Sequence, residues 1–218
     1  MNTHWSGGGT ACPIVEFHDV RTRAGRSAAY AGLLETRLGG AFVAAGGREI
    51  GSFRVGGHPD RLMVVRGYAD MAARRRALFT YHESADWARH RRTVADLTHA
   101  HETLLTRAIV PADGPGPLRS GDSWTLMVSE LQFAESVGSY HLWLRLLLRK
   151  AGMDPVAAFA TLEAVNDAPA VPVVRNRSHH VALLRGDGRV PELPPELRRL
   201  LRFAPEVLRL EPAAALVW

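Results

Sequence analysis

Glu16 and His18 stand two residues apart in the run IVEFHDVR at 14–21. If that run is a strand, alternate residues share a face, so Glu16 and His18 point one way and Val15 and Phe17 the other. Residues two apart on a strand lie about 7 Å from each other. A carboxylate beside an imidazole suits proton transfer, because the acid orients the ring while the ring accepts a proton as general base. The apolar pair is expected beneath covering helices, which turns Glu16 and His18 towards the interior of a barrel. Glu130 lies on the face of Leu126 and Val128 in a later strand and is the third catalytic candidate. Arg54 and Arg66, on neighbouring strands, are candidates for binding an anionic group or stabilising an enolate. Tyr81, Trp87 and His90 complete the expected substrate-binding set.

The remaining histidines suggest other chemistry. His82, Asp86 and His90 follow i, i+4, i+8, the spacing of a metal-binding stripe on one helix. Ser84, however, looks like a helix N-cap, which puts His82 outside that helix and breaks the stripe. No metal site is expected there. His99 and His101, on a helix, would point in different directions, and are read as surface residues. In the neighbouring pair His179-His180, a strand sends one ring inward. That ring is the one feature that could serve haem as an axial ligand. Otherwise no cofactor is expected. The chain has no glycine-rich phosphate loop, GxSxG elbow or HExxH motif. Its single cysteine, Cys12, sits in a loose N-terminal stretch and has no evident neighbour to activate it.

Composition narrows the class. The chain has 218 residues, 46% of them hydrophobic, which is enough for one large domain or two of about 100 residues. A lone cysteine argues for a reducing compartment. With no apolar run of ~20 residues and no signal-like N-terminus, the expectation is a cytoplasmic protein without membrane association. The formal charge of +5 is carried almost wholly by arginine, with Lys150 the only lysine. These arginines are interspersed with acids, so no nucleic-acid partner is expected.

The elements that must position the candidates follow from periodicity. After the first strand, Tyr30, Leu33, Leu34, Leu38 and Phe42 keep a helical rhythm from about Arg26 to Ala45. Residues 48–55 and 61–68 read as two strands joined by a Gly-Gly-His-Pro-Asp turn, helices follow to about Thr98, and 104–110 closes as a fourth strand. This β-α-β-β-α-β order is ferredoxin-like. Residues 111–123, rich in proline and glycine, read as a linker. A second such unit follows: a strand at 124–133, a helix at 140–152, strands at 157–165 and 179–186, a proline-led helix at 194–203, and a last strand at 206–212. Helix 140–152 is apolar nearly all round, as expected for a core or subunit interface. The expected organisation is a flexible 1–13, a first domain at 14–110, a linker, and a second domain at 124–218.

One stretch carries a family resemblance. HPDRLMVVRGYADMAARRRALFTYHESADWARHR resembles the NIPSNAP family pattern through Asp60, Arg61, Arg66, Gly67, Tyr68, Asp70, Met71, Arg74, Trp87, His90 and Arg91. Glu16 matches the glutamate of that family's first strand, and 205–214 resembles the closing strand of its two-domain bacterial members. Where the family has arginine and then tyrosine in the first strand, this chain has His18 and Val20. The resemblance implies the dimeric α/β-barrel superfamily, which includes cofactor-free cyclases, isomerases and oxygenases as well as haem proteins. The fold expectation is therefore α+β, two tandem ferredoxin-like halves closing into one barrel.

The functional expectation is a cofactor-independent enzyme of bacterial specialised metabolism, acting on an apolar, partly anionic small molecule by proton transfer in a cyclisation, isomerisation or hydration. The alternatives are a non-catalytic ligand- or protein-binding module, or a haem enzyme. A homodimer is compatible with the apolar helix.

Overall fold

The computed structural model describes residues 12–109, 123–153, 155–186 and 189–213. Apart from Cys12, Pro13 and Ser123, the expected lead-in and linker lie outside the described residues. The described chain folds into eight strands and their covering helices: β1 (Ile14–Thr22), β2 (Arg48–Val55), β3 (His58–Tyr68), β4 (Thr98–Ala108), β5 (Trp124–Leu131), β6 (Pro155–Thr161), β7 (Ser178–Arg185) and β8 (Glu206–Pro212). They form one closed antiparallel barrel in the order β1-β3-β2-β8-β5-β7-β6-β4. The first four strands thus lie side by side as β4-β1-β3-β2 and the last four as β8-β5-β7-β6. Two short seams join the sets. Phe53–Val55 pair with Leu210–Pro212 on one side, and Thr106–Ala108 with Phe159–Thr161 on the other.

Phe17, Phe53, Met63, Leu126, Phe159, Val181 and Leu208 come from seven different strands and form one buried cluster, which can only be the barrel interior. Val15 belongs to it too. The opposite faces of β1 and β3 carry Val20, Leu62 and Val64 against a helical layer. The expected orientation of β1 is therefore reversed: Val15 and Phe17 point into the barrel, while Glu16 and His18 point beneath the helices. In a covered barrel both faces of a strand are buried, so apolar–polar alternation cannot tell inside from outside.

The first helical stretch runs as α1 (Ser27–Leu33), a π-helical turn (Leu34–Leu38) and α2 (Gly39–Ala44). Its buried residues Tyr30, Leu34, Leu38 and Phe42 recur every four positions. At 3.6 residues per turn such a row drifts by about 40° per step. The wider π turn offsets that drift and keeps the row on the sheet. Next come α3 (Met71–Glu83), capped by Asp70, whose carboxylate accepts from Ala73 N at 2.6 Å, and α4 (Ala85–Leu97), capped by Ser84, which accepts from Trp87 N at 3.1 Å. The inferred Ser84 cap is present, with His82 on the preceding helix.

β4 starts at Thr98, six residues earlier than expected, so His99 and His101 lie in a strand and not in a helix. β3 likewise starts at His58, after a turn in which Gly57 takes φ +78°. In the second set, α5 (Val137–Lys150) buries Tyr140, Leu144 and Leu148 but leaves Leu142, Trp143 and Leu146 at 57%, 60% and 50% exposure. It is a surface helix of the described chain, not a sandwiched one. The proline-led α6 covers only Pro195–Arg198.

Candidate functional site

The residues expected to do chemistry are divided between two places. Beneath the helices, Glu16 is fully buried and its carboxylate is saturated. Oε1 accepts from Arg74 Nε at 2.7 Å and lies 2.7 Å from Nη2 of the same guanidinium, and Oε2 accepts from Tyr68 Oη at 2.7 Å and His18 Nε2 at 3.1 Å. Burial alone would raise the pKa of Glu16. The hydrogen bond from His18, the charge of Arg74 and the Tyr68 hydroxyl outweigh it and bring the pKa down to about 2. Burial pushes His18 the other way, helped by Arg66 and Arg74 against the pull of Glu16, so its pKa is lowered and the ring is neutral. Its Nδ1 faces His101 Nε2 at 2.9 Å and Thr103 Oγ1 at 3.1 Å. Donation from Nε2 to Glu16 leaves Nδ1 as the acceptor, a tautomer assigned from this network.

Arg74 extends the network across the barrel seam. Its Nη1 donates to Asp167 at 2.7 Å and its Nη2 to Asn166 at 3.2 Å, both on the segment between β6 and β7. This lattice of charge-assisted bonds pins α3 and that segment to β1. It gives a structural reason for the motif residues Glu16, Tyr68 and Arg74. Arg66 is also buried, its guanidinium 4.2 Å from the Phe42 ring centre and 5.4 Å from that of Tyr81. Tyr81 is buried against Phe42, His82 and Trp87. Trp87 and His90 are half-buried on α4, and Arg54 is exposed on the outer side of β2. Arg54 and Arg66 therefore do not converge on Glu16 and His18 as an anion site: one faces solvent and the other is enclosed by aromatic rings.

The second place is a mouth of the barrel. A cavity of about 240 Å³ opens there, walled by Phe17, Met63, Leu104, Leu126, Val128 and Leu208 and rimmed by charged residues. Glu130 lies in it, on the face shared with Leu126 and Val128, as read from the sequence. Its Oε1 accepts from Arg202 at 3.1 Å, while Oε2 lies 3.9 Å from Arg177 Nη1 and 4.0 Å from His179 Nε2. Of the two adjacent histidines, His179 is the one that lines the cavity. Its backbone N–H donates to Thr161 Oγ1 at 2.8 Å, and its buried Nδ1 has no hydrogen-bond partner in the structure. Burial, with Arg177 in support and Glu130 opposed, lowers its pKa and leaves it neutral. His180 points outward beneath α5, with Nε2 3.0 Å from His141 Nδ1 and the Tyr140 ring against it edge-on.

Neither histidine suits haem. His180 meets His141 at Nε2 and is covered by α5, and the 240 Å³ beside His179 is below the usual range for pockets of drug-sized ligands. Among the described residues, no three His, Cys, Asp or Glu side chains gather as a metal site. Asp19 and Arg61 were not among the expected site residues. Their forked pair, at 2.8 Å on both arms, stands at the cavity rim, and its acid sits one alternation beyond Phe17.

A closed eight-stranded barrel with helices on its outside defines the structural class, and solved proteins share it. A candidate monooxygenase from Fusobacterium nucleatum aligns over 94% of each chain with TM-score 0.61 at 9% identity. Another, from Lactobacillus acidophilus, covers 93% of this chain and 95% of its own with TM-score 0.57 at 10% identity. NIPSNAP family proteins are also among the similar structures. One from Agrobacterium tumefaciens is 24% identical over 49% of this chain and 98% of its own, with TM-score 0.41. No family model matches the sequence, and neither does any curated protein. Among the described residues no helix is long and apolar enough to cross a membrane.

Proposed function

We propose that this chain is a cofactor-independent enzyme that moves a proton on a compact, largely apolar small molecule held in the barrel mouth, with His179 as general base and Glu130 as its electrostatic partner. The observation that carries the reading is the cavity in which a neutral, buried imidazole with an unpartnered nitrogen meets a carboxylate. A neutral ring takes up a proton, and the adjacent carboxylate stabilises the imidazolium that results. The 4.0 Å between them is a resting separation, which tightens to hydrogen-bond length as the ring gains charge. Isomerisation, cyclisation and hydration all need such a step. In this reading the two strand sets are ferredoxin-like halves of a tandem barrel, Glu16 and His18 hold the scaffold together, and Glu130 alone of the three expected catalytic residues retains that role. A place in bacterial specialised metabolism and a cytoplasmic location belong to the same proposal and rest on the family resemblance and on composition.

The test pairs binding with exchange. Ligand-observed NMR with a library of small ketones, enols and aromatic compounds is run on the wild type and on Val128→Trp, which fills the cavity. Compounds that bind the wild type and not the variant are then incubated with enzyme in D2O. Deuterium wash-in that disappears in His179→Gln, while binding persists, is the expected result. Equal binding by Val128→Trp removes the site. Binding without wash-in favours the non-catalytic binding module.

A further inference from the structure

We infer that the barrel-mouth cavity selects a cation: its ligand is a small primary or secondary amine with an apolar body, and Glu102 is the residue that sets this preference. The inference rests on the reading of this cavity as the ligand site and names the class of compound it takes.

Four carboxylates line the cavity, Asp19, Glu102, Glu130 and Glu206, against two arginines, Arg61 and Arg177. Arg61 is shared. It forks onto Asp19 at 2.8 Å and donates to Glu206 at 2.6 Å, while Asp19 has a second, looser partner in the Arg21 guanidinium, 4.0 Å away on a side chain 55% exposed. Glu130 is met by Arg202 and Arg177, both of whose side chains are 57% exposed, whereas the Glu130 side chain is only 11% exposed. Their charges are screened by water, while the carboxylate acts within the cavity. Glu102 stands across the β1–β4 ladder from Asp19, and no described side chain pairs with it in an ion pair or hydrogen bond. Two strands therefore present carboxylates side by side at the rim, where Arg61, 11% exposed, is shared between Asp19 and Glu206 and the other arginines stand open to water.

Walls of Phe17, Met63, Leu104 and Leu126 surround this negative rim. Low-dielectric walls concentrate the field of charges at a cleft mouth, so a cation is drawn in and an anion repelled. His179, held neutral, adds no opposing positive charge. The anion-binding role expected of Arg54 and Arg66 cannot compensate, because neither lines the cavity.

Three probes of one shape test the inference: 2-phenylethylamine, 3-phenylpropanamide and 3-phenylpropionate. Their dissociation constants are measured by calorimetry at low and moderate salt, on the wild type and on Glu102→Gln. Glu102 is exposed, so its replacement leaves the fold intact. The amine is expected to bind at least ~10-fold more tightly than the amide, with the carboxylate weakest and the amine's advantage shrinking as salt rises. Glu102→Gln should weaken the amine threefold or more and leave the amide unchanged. A carboxylate that binds as well as the amine, or an amine–amide ratio untouched by Glu102→Gln, overturns the cation preference and leaves the cavity reading standing. If none of the three binds at millimolar concentration, the cavity reading falls and this inference with it.

Discussion

Replacing Arg74 by methionine tests the network beneath the helices. The substitution keeps the apolar stem of the side chain but removes the guanidinium, and with it the contacts to Glu16 Oε1 and the links to Asp167 and Asn166. A fully buried carboxylate is left with two donors, Tyr68 and His18. Breaking one side of a buried ion pair typically costs about 3–5 kcal/mol. The titration of Glu16 gives a figure for the whole network, in which His18 contributes first and Arg74 after it. Its pKa is held at about 2 against an ordinary 4.5, and that gap corresponds to ~3 kcal/mol of linkage. A carboxylate whose folded pKa is depressed contributes stability that is complete above the unfolded value near 4.5 and is lost as pH falls towards 2. Urea unfolding of wild type and Arg74→Met at pH 7 should therefore differ by about 3–5 kcal/mol, a large share of the 5–15 typical of a domain. The wild type should lose stability steeply between pH 4.5 and 2, and the variant less so. A difference below ~1 kcal/mol at pH 7 would put the pair in the class of solvated surface bridges and refute the reasoning.

Further outcomes follow from single contacts. A Cβ on Gly47 would collide with the Phe42 ring, itself fully buried, so Gly47→Ala should destabilise by about 1–3 kcal/mol in urea unfolding. Ser84→Ala should cost about 1 kcal/mol through the lost α4 cap, with amide exchange at Trp87 accelerating first. His180 has its pKa lowered to about 3 by burial and then by His141. It therefore stabilises the protein fully above the unfolded value near 6.5 and progressively less as pH falls below it. His180→Phe should flatten the loss of unfolding midpoint between pH 7 and 5; an unchanged pH slope would show that the ring is free to protonate.

Most of the element order was legible because it depends on local periodicity. Seven strands begin within three residues of their expected starts, and the helical rhythm of Tyr30, Leu33, Leu34, Leu38 and Phe42 pointed to the first helical stretch. β4 was misjudged because THAHE lacks an apolar alternation; its strand state is imposed by pairing with β1 along Val20↔His101 and His18↔Thr103. That error hid His101 and Thr103 as partners of His18. The orientation of β1 was not legible at all, since Arg74, Asn166 and Asp167, which hold Glu16 outside the barrel, lie 58 or more positions away along the chain. The face that Glu130 occupies was legible because Leu126 and Val128 share it. His179 was visible only as one of an adjacent pair, and no local signal indicated which ring faced the cavity.

Every strand in this ring is hydrogen-bonded on both flanks. Among the described residues no strand is left with a wholly open edge to template fibres, although the two seams are only three residue pairs long. A partner is therefore met largely through side chains, and the bare indole of Trp143 with its leucine neighbours is the largest greasy invitation on α5.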